Sequence, residues 1–159
     1  MEVDIYVHST IKGPRQKDGV IAFVLEAELT DGRKATKPYF FLIEGFSKQR
    51  SWLKATVVAL EKVKEGNGAV IRGNSAYLAN GFENLQKWKD NNWKRPNGEE
   101  VKNADLWEQI FNLQKSRKAR FLSDGDHQYS SWLPWEAEKR AKSRENVDFS
   151  LIGEEKKDV

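Results

Sequence analysis

Between Val3 and Val7 apolar residues alternate with an acidic and an aromatic one, and this period of two predicts a β-strand. Val20 to Leu29 is rich in branched and aromatic residues and predicts a second strand. Asp31-Gly32 then supplies a hairpin turn, and Tyr39 to Ile43 returns as a third strand with Pro38 at its start. The period changes at Ser51. Leu53, Val57, Leu60 and Val63 recur at helical spacing up to Glu65, and Gly66 ends the run. Ala69 to Arg72 reads as a short buried strand. Asn74 is the expected N-cap of a helix carrying Tyr77, Leu78, Phe82 and Leu85. After a polar excursion from Trp88 to Lys102, Asn103 is expected to cap a helix with Leu106, Trp107, Ile110 and Leu113 on its apolar side. Ala119 to Leu122 predicts the last strand, Asp124 to Gln128 a loop, and Trp132 to Arg144 a helix with Pro134 in its first turn.

Three strands, a helix, a strand, two helices, a strand and a helix make an α/β chain: a five-stranded mixed sheet with helices on both faces. The single helix before Ala69 favours parallel pairing of that strand with the first. One domain is expected over residues 1–144, followed by a polar, loosely held tail over 145–159.

With 159 residues and 32% charged positions the chain has the composition of a globular domain. It has no cysteine, which excludes disulfides and thiolate metal sites. No apolar run reaches membrane-spanning length and the N-terminal residues do not read as a signal peptide, so a cytoplasmic protein without membrane contact is expected. The net charge of +3 says little by itself. Its distribution says more: Lys87, Lys89, Lys94 and Arg95 are interleaved with Trp88 and Trp93. Cations beside aromatic rings suit a sugar–phosphate backbone by charge and bases by stacking. The bland alternative is a solvated helix end whose tryptophans pack inward.

The words inside these elements resemble bacterial-type ribonuclease H over about Val3 to Ala141. The family has W-x-x-x-x-W-K followed by V-K-N-x-D-L-W. This chain has Trp88-Lys89-Asp90-Asn91-Asn92-Trp93-Lys94, then Val101-Lys102-Asn103-Ala104-Asp105-Leu106-Trp107. Leu53 to Glu61 is similar to the family's first helix. The resemblance implies the ribonuclease H fold, and in the family that fold carries two magnesium ions on four carboxylates and cleaves the RNA strand of an RNA–DNA hybrid.

Carried over residue by residue, three of those carboxylates are replaced. The first-strand Asp matches His8, the first-helix Glu matches Trp52, and the Asp before the second helix matches Asn74. The Asp of the last helix matches Glu136, and the catalytic-loop His matches Asp126. An imidazole, an indole and an amide cannot offset two divalent charges, so no cofactor, no metal site and no catalytic residue is expected. The resemblance also implies that the segment around Lys87 to Arg95 grips nucleic acid. It sets Lys48, Gln49 and Arg50 where the family has two Asn residues facing the minor groove.

The residues leave alternatives open. Trp52 is either a stacking surface in the former active site or core filler. His8, Asp126 and Glu136 could rebuild a one-metal hydrolase. Asp124, Asp126 and His127 form either a polar cluster or a plain turn, and Lys12-Gly13-Pro14 lacks phosphate-loop spacing. The reading is a degenerate member of the fold, a pseudoenzyme that binds RNA–DNA hybrid or duplex. A protein-interaction scaffold and the one-metal hydrolase are the alternatives.

Overall fold

The computed structural model describes residues 1–123 and 125–155. Strands β1 (Glu2–Ser9), β2 (Lys17–Glu28) and β3 (Lys34–Phe46) are followed by helix α1 (Lys48–Glu61), strand β4 (Gly68–Gly73), helices α2 (Ala76–Asp90) and α3 (Ala104–Arg117), strand β5 (Ala119–Ser123) and helix α4 (Trp132–Ser143). The sheet order is β3-β2-β1-β4-β5. β1, β2 and β3 pair antiparallel, while β1–β4 and β4–β5 are parallel. The expected mixed five-stranded sheet and the parallel pairing across α1 are both present.

The two faces of the sheet follow from alternation. Val3, Ile5 and Val7 of β1 join one apolar cluster with α1, α2 and α3, whereas Tyr6 points the other way and packs with Val20, Ala22, Val24, Phe40, Leu42 and α4 through Leu133 and Ala137. With both faces covered, Val20 to Val24 are all buried, which is why β2 reads as a continuous apolar run rather than an alternating one. α2 and α3 touch closely at Gly81, where an added Cβ would stand 2.0 Å from the ring of the fully buried Trp107.

Several local expectations shift. Pro38 lies inside β3, paired with Val24, and not at the strand's start. β3 is the last strand of the sheet, where a missing N–H on the outer side costs no ladder bond. α1 begins at Lys48, before the first apolar repeat, because Ser47 caps it by accepting from the Arg50 amide. Ser75, not Asn74, caps α2, accepting from the Leu78 amide. Asn103 does precede α3, but in a left-handed conformation (φ 61°), and its side chain makes no capping bond.

The expected loose tail is also corrected, up to residue 155. Asp148 exchanges backbone hydrogen bonds with Phe40 and Leu42 on the outer side of β3, and Leu151 is buried. Glu154 and Glu155 then reach α1, where they pair with Lys54 and Arg50. The polar composition of this segment misleads because its contribution lies in backbone pairing and two ion pairs. Asp124 and residues 156–159 lie outside the described residues. Among the described residues no helix is long and apolar enough to cross a membrane.

Candidate functional site

The site is built where parallel strands β1 and β4 end. In open α/β sheets ligands bind outside the carboxyl ends of the strands, at the point where strand order reverses. Here β1 runs parallel to β4 on one side and antiparallel to β2 on the other. Ser9, the last residue of β1, ties this end to α1. Its Oγ lies 2.6 Å from the Oγ of Ser51, both side chains buried, and Ser51 also donates to the Lys48 carbonyl. That clamp sets Trp52 beside His8, with ring centroids 5.7 Å apart and planes at 84°.

His8, Trp52, Asn74, His127, Tyr129 and Pro134 line a cleft of about 250 Å³. Trp52 and Asn74 also form one wall of an adjoining cavity of about 340 Å³ that reaches Lys48 and Gln49. Trp52 thus fills and lines at once: it packs against the main core while its remaining surface divides two cavities. Asn74, relieved of capping by Ser75, is exposed. Burial, and secondarily the charge of Lys12, depresses the His8 imidazole to a pKa of about 4, so at neutral pH it is uncharged, with one donor and one acceptor nitrogen.

Two assignments made from the sequence are corrected. Helix α4 turns Leu133 and Pro134 to the cleft, while Glu136 forms an ion pair with Arg140 at 3.1 Å. Residues two apart on a helix point about 200° away from each other, so Pro134 and Glu136 cannot share a face. Likewise His127, not the exposed Asp126, is the loop residue at the cleft. Among the described residues no three His, Asp or Glu side chains gather as a metal would require, which removes the arrangement of His8, Asp126 and Glu136. The described lining offers imidazoles, an indole, an amide, a phenol and a hydroxyl, and no carboxylate.

The loop before α4 is pinned from below. Buried Glu26 of β2 accepts from the Tyr129 hydroxyl at 2.5 Å and from Gln128, and pairs with Lys34 at 3.2 Å. Burial alone would raise the Glu26 carboxyl, but the bonds from Tyr129, Lys34 and Gln128 outweigh it and hold the carboxyl below its ordinary value. Burial and the same bond push the Tyr129 hydroxyl up to about 12.

The basic segment divides into charges that face solvent and rings that do not. Lys87, Lys89, Lys94 and Arg95 are exposed. Trp93 is buried, indole nitrogen included, against Phe111, and half-buried Trp88 packs on Trp107. Trp93 therefore cannot present its face to a base, while Trp88 packs inward and keeps part of its surface outside. The exposed tryptophans are Trp132 (40%) and Trp135 (62%) of α4, with the Lys139 ammonium 5.3 Å from the Trp135 ring centre. The spacing of buried Leu133 and Ala137, four apart, was the signal that leaves 132 and 135 off the buried face.

Arg50 is the other correction. A guanidinium has five N–H donors. Arg50 directs all of them inward: Nε and Nη2 to Glu155, Nη1 and Nη2 to Asp105, and Nη1 to Asn103. The bonds it donates to Asp105 and then to Glu155 raise its pKa further, and Arg50 in turn lowers that of Asp105. It has no donor left for a phosphate in this arrangement. Lys48 remains exposed and Gln49 half-buried beside it.

Comparison with known proteins agrees with this architecture. A ribonuclease H of Acetivibrio thermocellus is 40% identical over 91 residues, covering 54% of this chain and 62% of that protein. One of Clostridium botulinum is 29% identical over 128 residues, covering 79% and 84%. The chain thus spans less than two thirds of the first of these relatives and more of the second. The solved structure of LC9-RNase H1, described as a type 1 RNase H with the type 2 active-site motif, superposes with a TM-score of 0.72 at 16% identity, over 89% of this chain and 72% of that one. A foamy viral protease–reverse transcriptase in complex with RNA/DNA hybrid gives 0.65 at 15%, over 89% of this chain and 19% of that one. At these identities the structural likeness speaks for the fold alone. The family model described as RNase H matches residues 2–122, most of the length described above, and the chain belongs to that family.

Proposed function

We propose that this chain is a nucleic-acid-binding member of the RNase H family that does not cut by the two-metal route, an accessory module working in the cytoplasm. The observation that carries the reading is the lining of the cleft, where His8, Trp52, Asn74 and Pro134 stand together and none is a carboxylate. Two magnesium ions do not fit such a donor set. Closely spaced divalent ions need several anionic oxygens to offset their repulsion, and Trp52 occupies volume that ions and water would need.

Binding without cutting is supported by the exposed cations Lys48, Lys87, Lys89, Lys94 and Arg95, which suit phosphate by charge alone. A fold neighbour in complex with an RNA/DNA hybrid makes hybrid the first ligand to try. The test is a labelled RNA–DNA hybrid assayed in magnesium, in manganese and with chelator. The expected result is retention of the hybrid without cleavage in all three. Metal-dependent cleavage would overturn the non-catalytic reading, and no binding at low salt would favour a protein-interaction scaffold.

A further inference from the structure

We propose that the cleft bounded by His8, Trp52, Asn74 and Pro134 is a pocket for a single unpaired nucleobase, with adenine matching its polar edge best. This deepens the nucleic-acid reading above and rests on it for the source of the base.

The size of the cleft fits. Drug-sized pockets run from about 300 to 1,000 Å³, and this cleft of about 250 Å³ falls below that range, which limits its occupant to a small ligand such as a single base. Its chemistry fits as well. Among the described lining residues there is no carboxylate, lysine or arginine, and the walls include four aromatic rings, those of His8, Trp52, His127 and Tyr129. Such walls suit a flat aromatic ring, since every base has a π-face on which an aromatic side chain can stack. A pinned wall also helps, because the Glu26–Tyr129 bond holds one of these rings before any ligand arrives.

The polar contacts of the cleft narrow the choice. Asn74 projects a carboxamide that Ser75 has freed from capping. A carboxamide reads adenine by donating to N7 and accepting from the N6 amino group. The neutral His8 imidazole adds one donor and one acceptor, so it can pair with a base edge without bringing a charge into the cleft. Lys48 lines the cavity on the far side of Trp52 and Asn74, where the phosphate of an extruded nucleotide would lie. In this arrangement the family's site for cutting a backbone has become a site for holding a base.

Adenosine monophosphate alone is the first probe, followed by NMR at the Trp52 indole and the Asn74 side-chain amide. Three RNA–DNA hybrids are the second: fully paired, with one bulged adenosine, and with an abasic residue at the bulge. The nucleotide should shift both resonances, and the adenosine bulge should bind about tenfold tighter than the other two hybrids. Trp52→Leu and Asn74→Ala should each erase that advantage, and Trp52→Phe should keep part of it. Asn74 is exposed, so its variant tests the pocket without threatening the fold. Equal affinity for all three hybrids, together with no shift at Trp52 or Asn74, would overturn the pocket while leaving hybrid binding intact. Shifts at both residues without any hybrid binding would keep the pocket and overturn the hybrid-binding reading instead.

Discussion

Arg50 and Glu155 are 105 residues apart in sequence and meet through two hydrogen bonds, at 2.7 and 3.1 Å. The contact fastens the C-terminal segment to the first helix, and Asp105 of α3 completes it with a bidentate pair. Asp105 is 60% exposed and Glu155 18%, so the network is worth less than a buried one. Arg50→Ala should cost about 1–2 kcal/mol, much of it from leaving Glu155 without its cation. Arg50→Lys should recover only part, since a point charge cannot serve two carboxylates bidentately. Urea denaturation checks both, and a loss below about 0.5 kcal/mol for the alanine variant would mean the network is a surface decoration.

His8 makes stability depend on pH with a definite sign. Its folded pKa of about 4 lies below the ordinary 6.5, because burial, then Lys12, disfavours the charged form. The neutral imidazole's contribution is present in full above pH 6.5. It erodes as pH falls, since the unfolded chain takes up a proton that the folded chain refuses until about pH 4. The total is at most about 3 kcal/mol. Unfolding measured at pH 7.5, 6 and 5 should show a falling slope that His8→Gln flattens. Parallel curves for the two proteins would contradict the burial of a neutral imidazole.

Gly81→Ala should be among the costliest small substitutions in the chain. Its Cβ would lie 2.0 Å from Cη2 and Cζ2 of Trp107, a side chain with no exposed surface to retreat to. Separating α2 from α3 should cost about 3 kcal/mol. Thermal unfolding and the near-ultraviolet dichroism of the tryptophans are the measurements. Wild-type values for both would show that the indole can move aside.

The exposed cations should dominate attraction to nucleic acid. Each phosphate they neutralise releases counterions, with a contribution near −0.9 to the slope of log affinity against log salt. Replacing Lys87, Lys89, Lys94 and Arg95 by Gln should weaken hybrid binding at every sequence and flatten the slope by up to about 3–4. Circular dichroism controls for folding. Trp93 is not a useful target here, because it is buried and its loss would disturb the segment itself. Superimposable salt series for the two proteins would remove this segment from the interface.

Restoring one carboxylate should not restore cutting. Metal ligands act as a unit, so Asn74→Asp alone should leave hybrid intact in magnesium. The comparison is a variant that also carries His8→Asp, Trp52→Glu and Pro134→Asp, the last chosen because Pro134 and not Glu136 faces the cleft. Turnover by the single variant would refute the proposal that this cleft cannot hold two ions.

What the sequence determined by itself was whatever is written locally. Alternation in β1, the helical spacing of Leu53, Val57 and Leu60, and the Asp31-Gly32 turn set the elements and their order, and the order set the sheet. The Trp88 to Trp107 words set the family, because their spacing reflects packing that the fold enforces: Trp88 and Trp107 touch at 5.7 Å. Tertiary structure alone decided which side each group faces. It chose Pro134 over Glu136 for the cleft, because the rotation of α4 is fixed by Leu133 and Ala137 seating on the sheet, and it placed His127 rather than Asp126 at the cleft in the loop before α4. It turned Trp93 inward and left Trp135 outside. It spent Arg50 on Asp105 and Glu155, partners 55 and 105 residues away that no local pattern records. Period and propensity act over a few residues, while burial and pairing depend on which distant surfaces meet, and that is settled only when the whole sheet closes.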